Sequence, residues 1–267
     1  MKKNKVLSLT ECGIMVALST ILSLIQLGSF PTGGSITLAS MLPIVVVAYR
    51  HGILWGLGTG FCASLAQALL GLSAFSYVTT WQSILAVLFL DYVFAFAGYG
   101  LAGIFRKTLK KQYLAMLAGA CLSGFLRYVC HVISGATVWA GLSIPDSAAL
   151  LYSLSYNATY MIPDTLILAV VTVYIASFMD FRRPTPARIQ REDISKTDSI
   201  LISSSAALLL IAFIYDAVAI FTKLQSESGE FDIRLLSDVN WQAVAIVTLA
   251  SIVISASLFF FVRYRKK

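Results

Sequence analysis

The sequence predicts an all-α integral membrane protein with a six-helix bundle followed by two further transmembrane helices. Of its 267 residues, 58% are hydrophobic and 12% are charged, and the mean hydropathy is +0.82. Soluble domains are about half apolar and a quarter charged, so this composition indicates a chain embedded in a bilayer. Seven apolar stretches approach or exceed the roughly 20 residues that a helix needs to cross a membrane, and a shorter stretch lies between them.

Eight spans follow from these apolar stretches and from the residues that interrupt them. They are 6–27, 36–49, 53–72, 81–105, 113–133, 148–178, 199–221 and 241–262. The second span is short and contains Pro43, so we expect it to be tilted, kinked or only partly crossing.

Basic residues lie at alternate ends of the eight spans. Short loops rich in lysine and arginine stay in the cytoplasm, so this pattern predicts a multi-pass protein with both termini cytoplasmic. The clusters are Lys2, Lys3 and Lys5; Arg50; Arg106, Lys107, Lys110 and Lys111; Arg182, Arg183, Arg188 and Arg191; and Arg263, Arg265, Lys266 and Lys267. The net charge of +7 is thereby explained by topology, and nucleic acid is not an expected partner.

A composition break near residue 183 divides the chain. We expect a six-helix domain over 1–182, a cytoplasmic basic linker over 183–198, and a two-helix transmembrane extension over 199–267.

Few ionisable groups lie inside the predicted spans, where a charge costs at least about 2.5–3.5 kcal/mol at the helix centre. They are Asp91, Arg127, His131 and Asp164. By the predicted topology, all four lie between the midplane and the outer surface, so this polar set is expected to open outward.

Aromatic and polar residues accompany these groups at helical spacing. Arg127 and His131 are four residues apart and share a helix face. The accompanying residues are Tyr92, which follows Asp91; Trp139, just beyond its span; and Tyr152, Tyr156, Tyr160 and Asp164, which recur every four residues with Asn157 beside them. Aromatic faces stack on flat rings and attract cations, and a carboxylate accepts from an amino group. The set therefore predicts a small, aromatic, nitrogen-bearing ligand.

Other interpretations of single residues stay open. Asp91 and Arg127 could form a structural ion pair. Asp216, near the outer end of its span, is expected at the membrane interface. His51, beside Arg50, is expected to be a solvated loop residue.

Motifs for catalysis and cofactors are missing from the sequence. Residues 98–103, GYGLAG, match a dinucleotide-binding pattern but lie inside an apolar span, where small residues allow close helix packing instead. There is no ATP-binding lysine motif, and the four cysteines are scattered without metal-site spacing. We therefore expect no enzyme activity, no cofactor and no metal site.

Several segments, in order, resemble the thiamine-specific substrate-binding (S) components of energy-coupling factor (ECF) transporters. They are LTECGIMVALSTILSLI at 9–25, FLDYVFAFAGYGLAGIFR at 89–106, FLRYVCHVISGATVW at 125–139 and YSLSYNATYMIPD at 152–164. The resemblance covers roughly the first 180 residues. It implies a six-helix subunit of a bacterial cell membrane that binds thiamine and docks on a transmembrane coupling protein and two cytosolic ATPases.

The resemblance assigns roles to positions of this chain. It implies that the pocket carboxylate is Asp91, and that the pocket also contains Tyr92, Arg127, His131, Trp139, Tyr152, Tyr156 and Asn157. The family commonly has Glu at the first position and Lys at the basic one. The first-loop tryptophan of the family has no counterpart in FPTGGSIT, and the last two helices extend beyond the six-helix pattern.

The first helix is the family's docking element. Gly13 and Ala17 have the spacing of small residues that permits close helix approach, and packing within the bundle is an equal alternative.

Two other function classes compete with this interpretation. A self-sufficient secondary transporter for a cationic heterocyclic metabolite, coupled to protons through Asp91 or Asp164, would predict inverted repeats, and none is evident. An intramembrane enzyme would need a nucleophile with a neighbouring general base, which the sequence does not display. A signalling receptor would need a signalling domain, for which the cytoplasmic linker is too short.

Overall fold

A computed structural model describes residues 5–29, 34–140, 149–189, 196–221, 223–224 and 233–264. Its helices are α1 (Lys5–Leu24), α2 (Leu42–His51), α3 (Ile53–Leu70), α4 (Trp81–Arg106), α5 (Gln112–Thr137), α6 (Ala149–Phe178), α7 (Lys196–Phe221) and α8 (Trp241–Tyr264). Among the described residues, seven of these helices, all except α2, are long and apolar enough to cross a membrane. The all-helical membrane fold is therefore confirmed.

Within the described residues, two short hairpins and two separate 3-10 turns lie between the helices. Strands β1 (Gln26–Ser29) and β2 (Ser35–Thr37) pair antiparallel, as do β3 (Met179–Asp180) and β4 (Ala187–Arg188). The 3-10 turns are Leu72–Tyr77 and Ile233–Asp238.

The first hairpin corrects two predicted boundaries. The first span was expected to reach residue 27 and the second to begin at 36, but α1 ends at Leu24 and α2 begins at Leu42. The intervening backbone pairs across the hairpin, with Gln26 opposite Thr37, instead of continuing the helices. Gly34 has a φ of +93°, a conformation that favours glycine and lies outside the helical region.

Helix α2 is a buried core helix. Its ten residues correspond to about 15 Å at 1.5 Å per residue, roughly half the thickness of the hydrocarbon layer. The nine residues from Leu42 to Arg50 are all buried. Glycines permit this close packing: a Cβ on Gly56 of α3 would lie 2.6 Å from Cβ of Ala48, and one on Gly100 of α4 would collide with the backbone of Gly56 and Leu57. The prediction that the small residues of 98–103 serve helix packing is thus confirmed at Gly100.

A buried ionic cluster lies where α1 begins and α2 ends. Glu11 Oε1 is 2.7 Å from Arg50 Nε, and Glu11 Oε2 is 2.5 Å from His51 Nε2. Ser8 Oγ lies 3.1 Å from His51 Nδ1. The expectation of a solvated His51 is therefore wrong, since only 7% of its side chain is exposed. The position of His51 in the sequence does not reveal its partner, because Glu11 lies on a different helix.

The same cluster binds the segment that follows α6. Arg50 donates to the carbonyl oxygens of Phe181, Arg183 and Pro184 at 3.0–3.2 Å. Gln112 of α5 donates to Met179 O at 2.6 Å and accepts from Phe181 N at 2.9 Å. The start of the predicted basic linker is therefore fixed against the bundle; its residues 190–195 lie outside the described part of the chain.

These contacts gather several predicted basic clusters at one end of the helices. Arg50 meets the segment that contains Arg183, and Arg182 donates to the carbonyl oxygen of Lys110. Lys2, Lys3, Arg191, Arg265, Lys266 and Lys267 lie outside the described residues.

The chain forms two compact units, Met1–Ile189 and Gln190–Lys267. In the second unit, α7 and α8 pair through reciprocal hydrogen bonds: Ser205 Oγ donates to Ser255 O at 3.1 Å, and Ser255 Oγ to Ser205 O at 3.0 Å. Asp216 of α7 accepts from Thr248 Oγ1 of α8 at 2.5 Å, so its carboxylate also serves this helix pair.

Candidate functional site

Asp91 is the centre of a polar site inside the first unit. It lies in a π-helical stretch, Leu88–Phe94, within α4, and such distortions are frequent at functional sites. Ser134 Oγ and Trp139 Nε1 donate to its Oδ2 at 2.7 and 3.1 Å, and His131 Nδ1 lies 2.9 Å from Oδ1. A carboxylate offers about four lone-pair sites, so the three partners among the described residues leave one accepting direction for a ligand. The Asp91 side chain remains 14% exposed.

Arg127 and His131 occupy adjacent turns of α5, as their spacing predicts. Arg127 Nε lies 3.4 Å from His131 Nε2, and the other ring nitrogen, Nδ1, faces Asp91. The guanidinium also lies over the ring of Phe96, 4.5 Å from its centroid.

The ion partner of Arg127 is Asp164. Arg127 Nη1 lies 3.1 Å from Asp164 Oδ2, and both side chains are buried, with 8% and 4% of their surface exposed. The alternative of an Asp91–Arg127 pair is therefore wrong. Both carboxylates were visible in the sequence, but helical spacing does not reveal which neighbouring helix faces Arg127.

The tyrosine stripe forms one face of α6. The rings of Tyr152 and Tyr156 stack with centroids 6.2 Å apart, and those of Tyr156 and Tyr160 meet edge-on at 5.9 Å. Asn157 accepts from the Tyr160 hydroxyl, and its amide nitrogen donates to Ser153 O at 2.9 Å and to His131 O at 3.3 Å. The stripe therefore joins α6 to the His131 side of the site.

Tyr92 and Trp139 belong to an aromatic group beside Asp91. Tyr92 stacks on Phe75 at 5.6 Å, and its hydroxyl donates to Gly71 O at 3.1 Å. Trp139 lies 6.5 Å from the ring of Tyr77. The 3-10 turn Leu72–Tyr77 thus contributes Phe75 and Tyr77, which no sequence pattern distinguishes as site residues.

Strand β2 also reaches the site, although no pattern in the sequence indicates it. The Thr37 backbone N–H and its hydroxyl both donate to Asp164 Oδ1 at 2.8 Å. Gly34 packs so closely on Tyr160 that a Cβ would lie 2.6 Å from the ring. Some site residues are identified only by the tertiary structure, because no sequence pattern distinguishes them. They are Thr37, Phe75, Phe96 and Ser134.

Gly13 and Ala17 lie away from this site, on the exposed face of α1. A Cβ on Gly13 would meet no atom within 4 Å, so packing of the first unit does not require glycine there. The buried face of the same helix carries Ser8, Cys12, Ser19 and Ser23.

The fold and site define a class: a multi-pass helical membrane protein with a polar, aromatic-lined site among its apolar helices. The family model described as Thiamine transporter protein (Thia_YuaJ) matches residues 9–181. The chain belongs to this thiamine transporter family. Its role is therefore in transport and not in catalysis.

Individual relatives agree with this membership. The chain is 33% identical to the thiamine transporter ThiT of Bacillus subtilis (strain 168) over 181 residues, which cover 64% of this chain and 90% of that protein. The solved structure of ThiT from Listeria monocytogenes has a similar fold, with a TM-score of 0.54 and 23% identity over 64% of this chain and 94% of that one.

Proposed function

We propose that this chain is the thiamine-binding S component of an ECF transporter. The family match over 9–181 supports thiamine as the substrate, because both named relatives are ThiT proteins and the first carries the name thiamine transporter. The observation that carries the proposal is the Asp91 carboxylate, which is oriented by three partners and retains an accepting direction. An aminopyrimidine presents an amino group that such a carboxylate binds.

The roles of the remaining site residues are inferred from the side chains that they contact. Trp139 and Tyr152 are half-buried aromatic side chains suited to stacking on a ligand ring. His131 orients Asp91. The adjacent face of α6 is formed by Tyr156, Tyr160 and Asn157, which contact one another. We assign Tyr92 to the ligand site because it belongs to the aromatic group beside Asp91. We assign Arg127 to the site because it contacts His131.

The partners and orientation are part of the same proposal. The exposed small-residue face of α1 would dock on a transmembrane coupling protein, with two cytosolic ATPases supplying the energy that this chain has no motif to obtain. The gathering of Arg50, Lys110 and Arg182 at one end of the bundle supports cytoplasmic termini. Labelling by a membrane-impermeant thiol reagent of cysteines introduced at the termini tests this, and rapid labelling in intact cells would contradict it.

Calorimetric titration of the purified protein with thiamine tests the substrate assignment. Hydrogen bonds to charged groups contribute about 1.5–3 kcal/mol, so Asp91→Asn is expected to lower the affinity by roughly ten- to hundredfold. Asp238→Asn is the matched control, because Asp238 is exposed and lies in the second unit.

Two results would contradict the proposal. One is no thiamine binding by folded wild-type protein. The other is uptake into vesicles that contain this chain alone under a proton gradient, which would favour a secondary transporter.

A further inference from the structure

We infer that Asp164 is a positioning residue that braces both halves of the site through its two oxygens without touching the ligand. The inference rests on the proposed function and extends it to a residue whose type and helix face would otherwise suggest direct contact. Asp164 lies on α6 at the end of the tyrosine stripe, and its side chain is 4% exposed, against 14% for Asp91.

One oxygen supports the carboxylate half of the site. Asp164 Oδ2 holds Arg127 at 3.1 Å, Arg127 Nε donates to His131, and His131 contacts Asp91. Arg127 is buried, and a buried guanidinium without a counter-ion would be strongly destabilised. Asp164 therefore fixes the cation that orients the imidazole beside Asp91.

The other oxygen supports the tyrosine half of the site. Asp164 Oδ1 accepts from both the backbone N–H and the hydroxyl of Thr37, at the end of β2. Three residues earlier, Gly34 presses on the Tyr160 ring, and the Tyr160 hydroxyl donates to Asn157. The position of Tyr160 and Asn157 thus depends on a strand that Asp164 anchors.

The same anchor continues toward α1. Thr37 Oγ1 lies 2.8 Å from Ser40 Oγ, and Ser19 of α1 donates to Ser40 O at 2.8 Å. All of the residues in this series of contacts are buried: Asp164, Thr37, Ser40 and Ser19. Asp164, like Asp91, has three described donors, so what distinguishes it is burial: only 4% of its side chain is exposed, which leaves little surface for a ligand.

Two substitutions test the contacts of the two Asp164 oxygens separately. Asp164→Asn keeps an acceptor for Thr37 but replaces the oxygen that faces Arg127 by a donor. Thr37→Val removes both hydrogen bonds of the hydroxyl, to Asp164 Oδ1 and to Ser40 Oγ, at nearly constant volume and leaves the ion pair intact. The control is Thr20→Val, because the Thr20 hydroxyl donates to Val16 O within its own helix and makes no hydrogen bond to β2 or α5 among the described residues.

The first readout uses the full-length protein without ligand. A hydrogen bond contributes about 1 kcal/mol, so hydrogen exchange should accelerate by up to about tenfold in strand β2 of Thr37→Val, and α5 should be unchanged. In Asp164→Asn the acceleration should appear around Arg127 and His131. Thr20→Val should change neither region. Unchanged exchange in both site variants would overturn the inference, whether or not thiamine binds.

The second readout compares thiamine with deazathiamine, a neutral analogue in which carbon replaces the charged ring nitrogen. A positioning role predicts that Asp164→Asn weakens both ligands by the same factor, about tenfold. If the loss is confined to thiamine, the carboxylate contacts the ligand charge and the inference is wrong. If wild-type protein binds neither ligand, the proposed function fails, and the exchange measurement still decides the anchoring role.

Discussion

At the scale of single residues, buried charge is paired across helices at two places in the first unit. Arg127 meets Asp164 within the site, and Arg50 meets Glu11 where α2 ends. A buried ion pair is weak evidence for stability, but removing one partner leaves the other charge buried and uncompensated. Each pair therefore constrains which helices can be neighbours.

Arg50→Gln is expected to destabilise the protein strongly. The change leaves Glu11 buried beside His51 alone and releases three carbonyl oxygens of the segment 181–184. Breaking a buried pair costs about 3–5 kcal/mol, so the thermal unfolding midpoint in detergent should fall by many degrees. Arg183→Gln is the control: its pair with Asp180 leaves 64% of the Arg183 side chain exposed, and exposed pairs contribute about 0–1 kcal/mol. Equal shifts in the two variants would contradict the argument.

At the scale of helices and strands, sequence periodicity predicted contacts within a helix better than contacts between helices. The Arg127–His131 pair and the tyrosine stripe follow directly from four-residue spacing. The partner of Arg127, the burial of His51 and the β1–β2 hairpin depend on which elements meet, and one sequence contains no signal for that. The π-helical turn at Asp91 likewise arises from backbone geometry that an apolar run does not reveal.

Ala17→Trp is expected to prevent docking without affecting the ligand site. The position is exposed on α1, and the neighbouring Gly13 has open space around it, so a large side chain would fit the isolated chain but obstruct a close helix partner. Co-purification with co-expressed coupling protein and ATPases should be lost, while thiamine titration stays unchanged. Val170→Trp, on an exposed position of α6, is the control and should preserve the complex. A complex that survives Ala17→Trp would move the docking surface elsewhere.

At the scale of the whole molecule, the candidate site and the family match share one unit. The unit Met1–Ile189 contains every candidate ligand-binding residue, and the matched residues 9–181 end inside it. The second unit has its own pairing, through Ser205 with Ser255 and Asp216 with Thr248. We therefore propose the division expected from the sequence, a binding domain followed by a two-helix extension, with the first part of the linker held against the binding domain.

A chain ended after residue 189 is expected to bind thiamine within about threefold of the full-length affinity. The shortened chain keeps the segment 179–184, which Arg50 and Gln112 fix, so both retain their described hydrogen-bond partners. A chain ended after residue 178 is the sharper comparison, because it removes these partners from buried groups, each costing about 1–3 kcal/mol. Calorimetry and thermal unfolding should separate the two truncations, with binding and stability preserved in the first and stability reduced in the second. Loss of thiamine binding by a folded 1–189 chain, beside a full-length chain that binds, would show that the extension contributes to the ligand site.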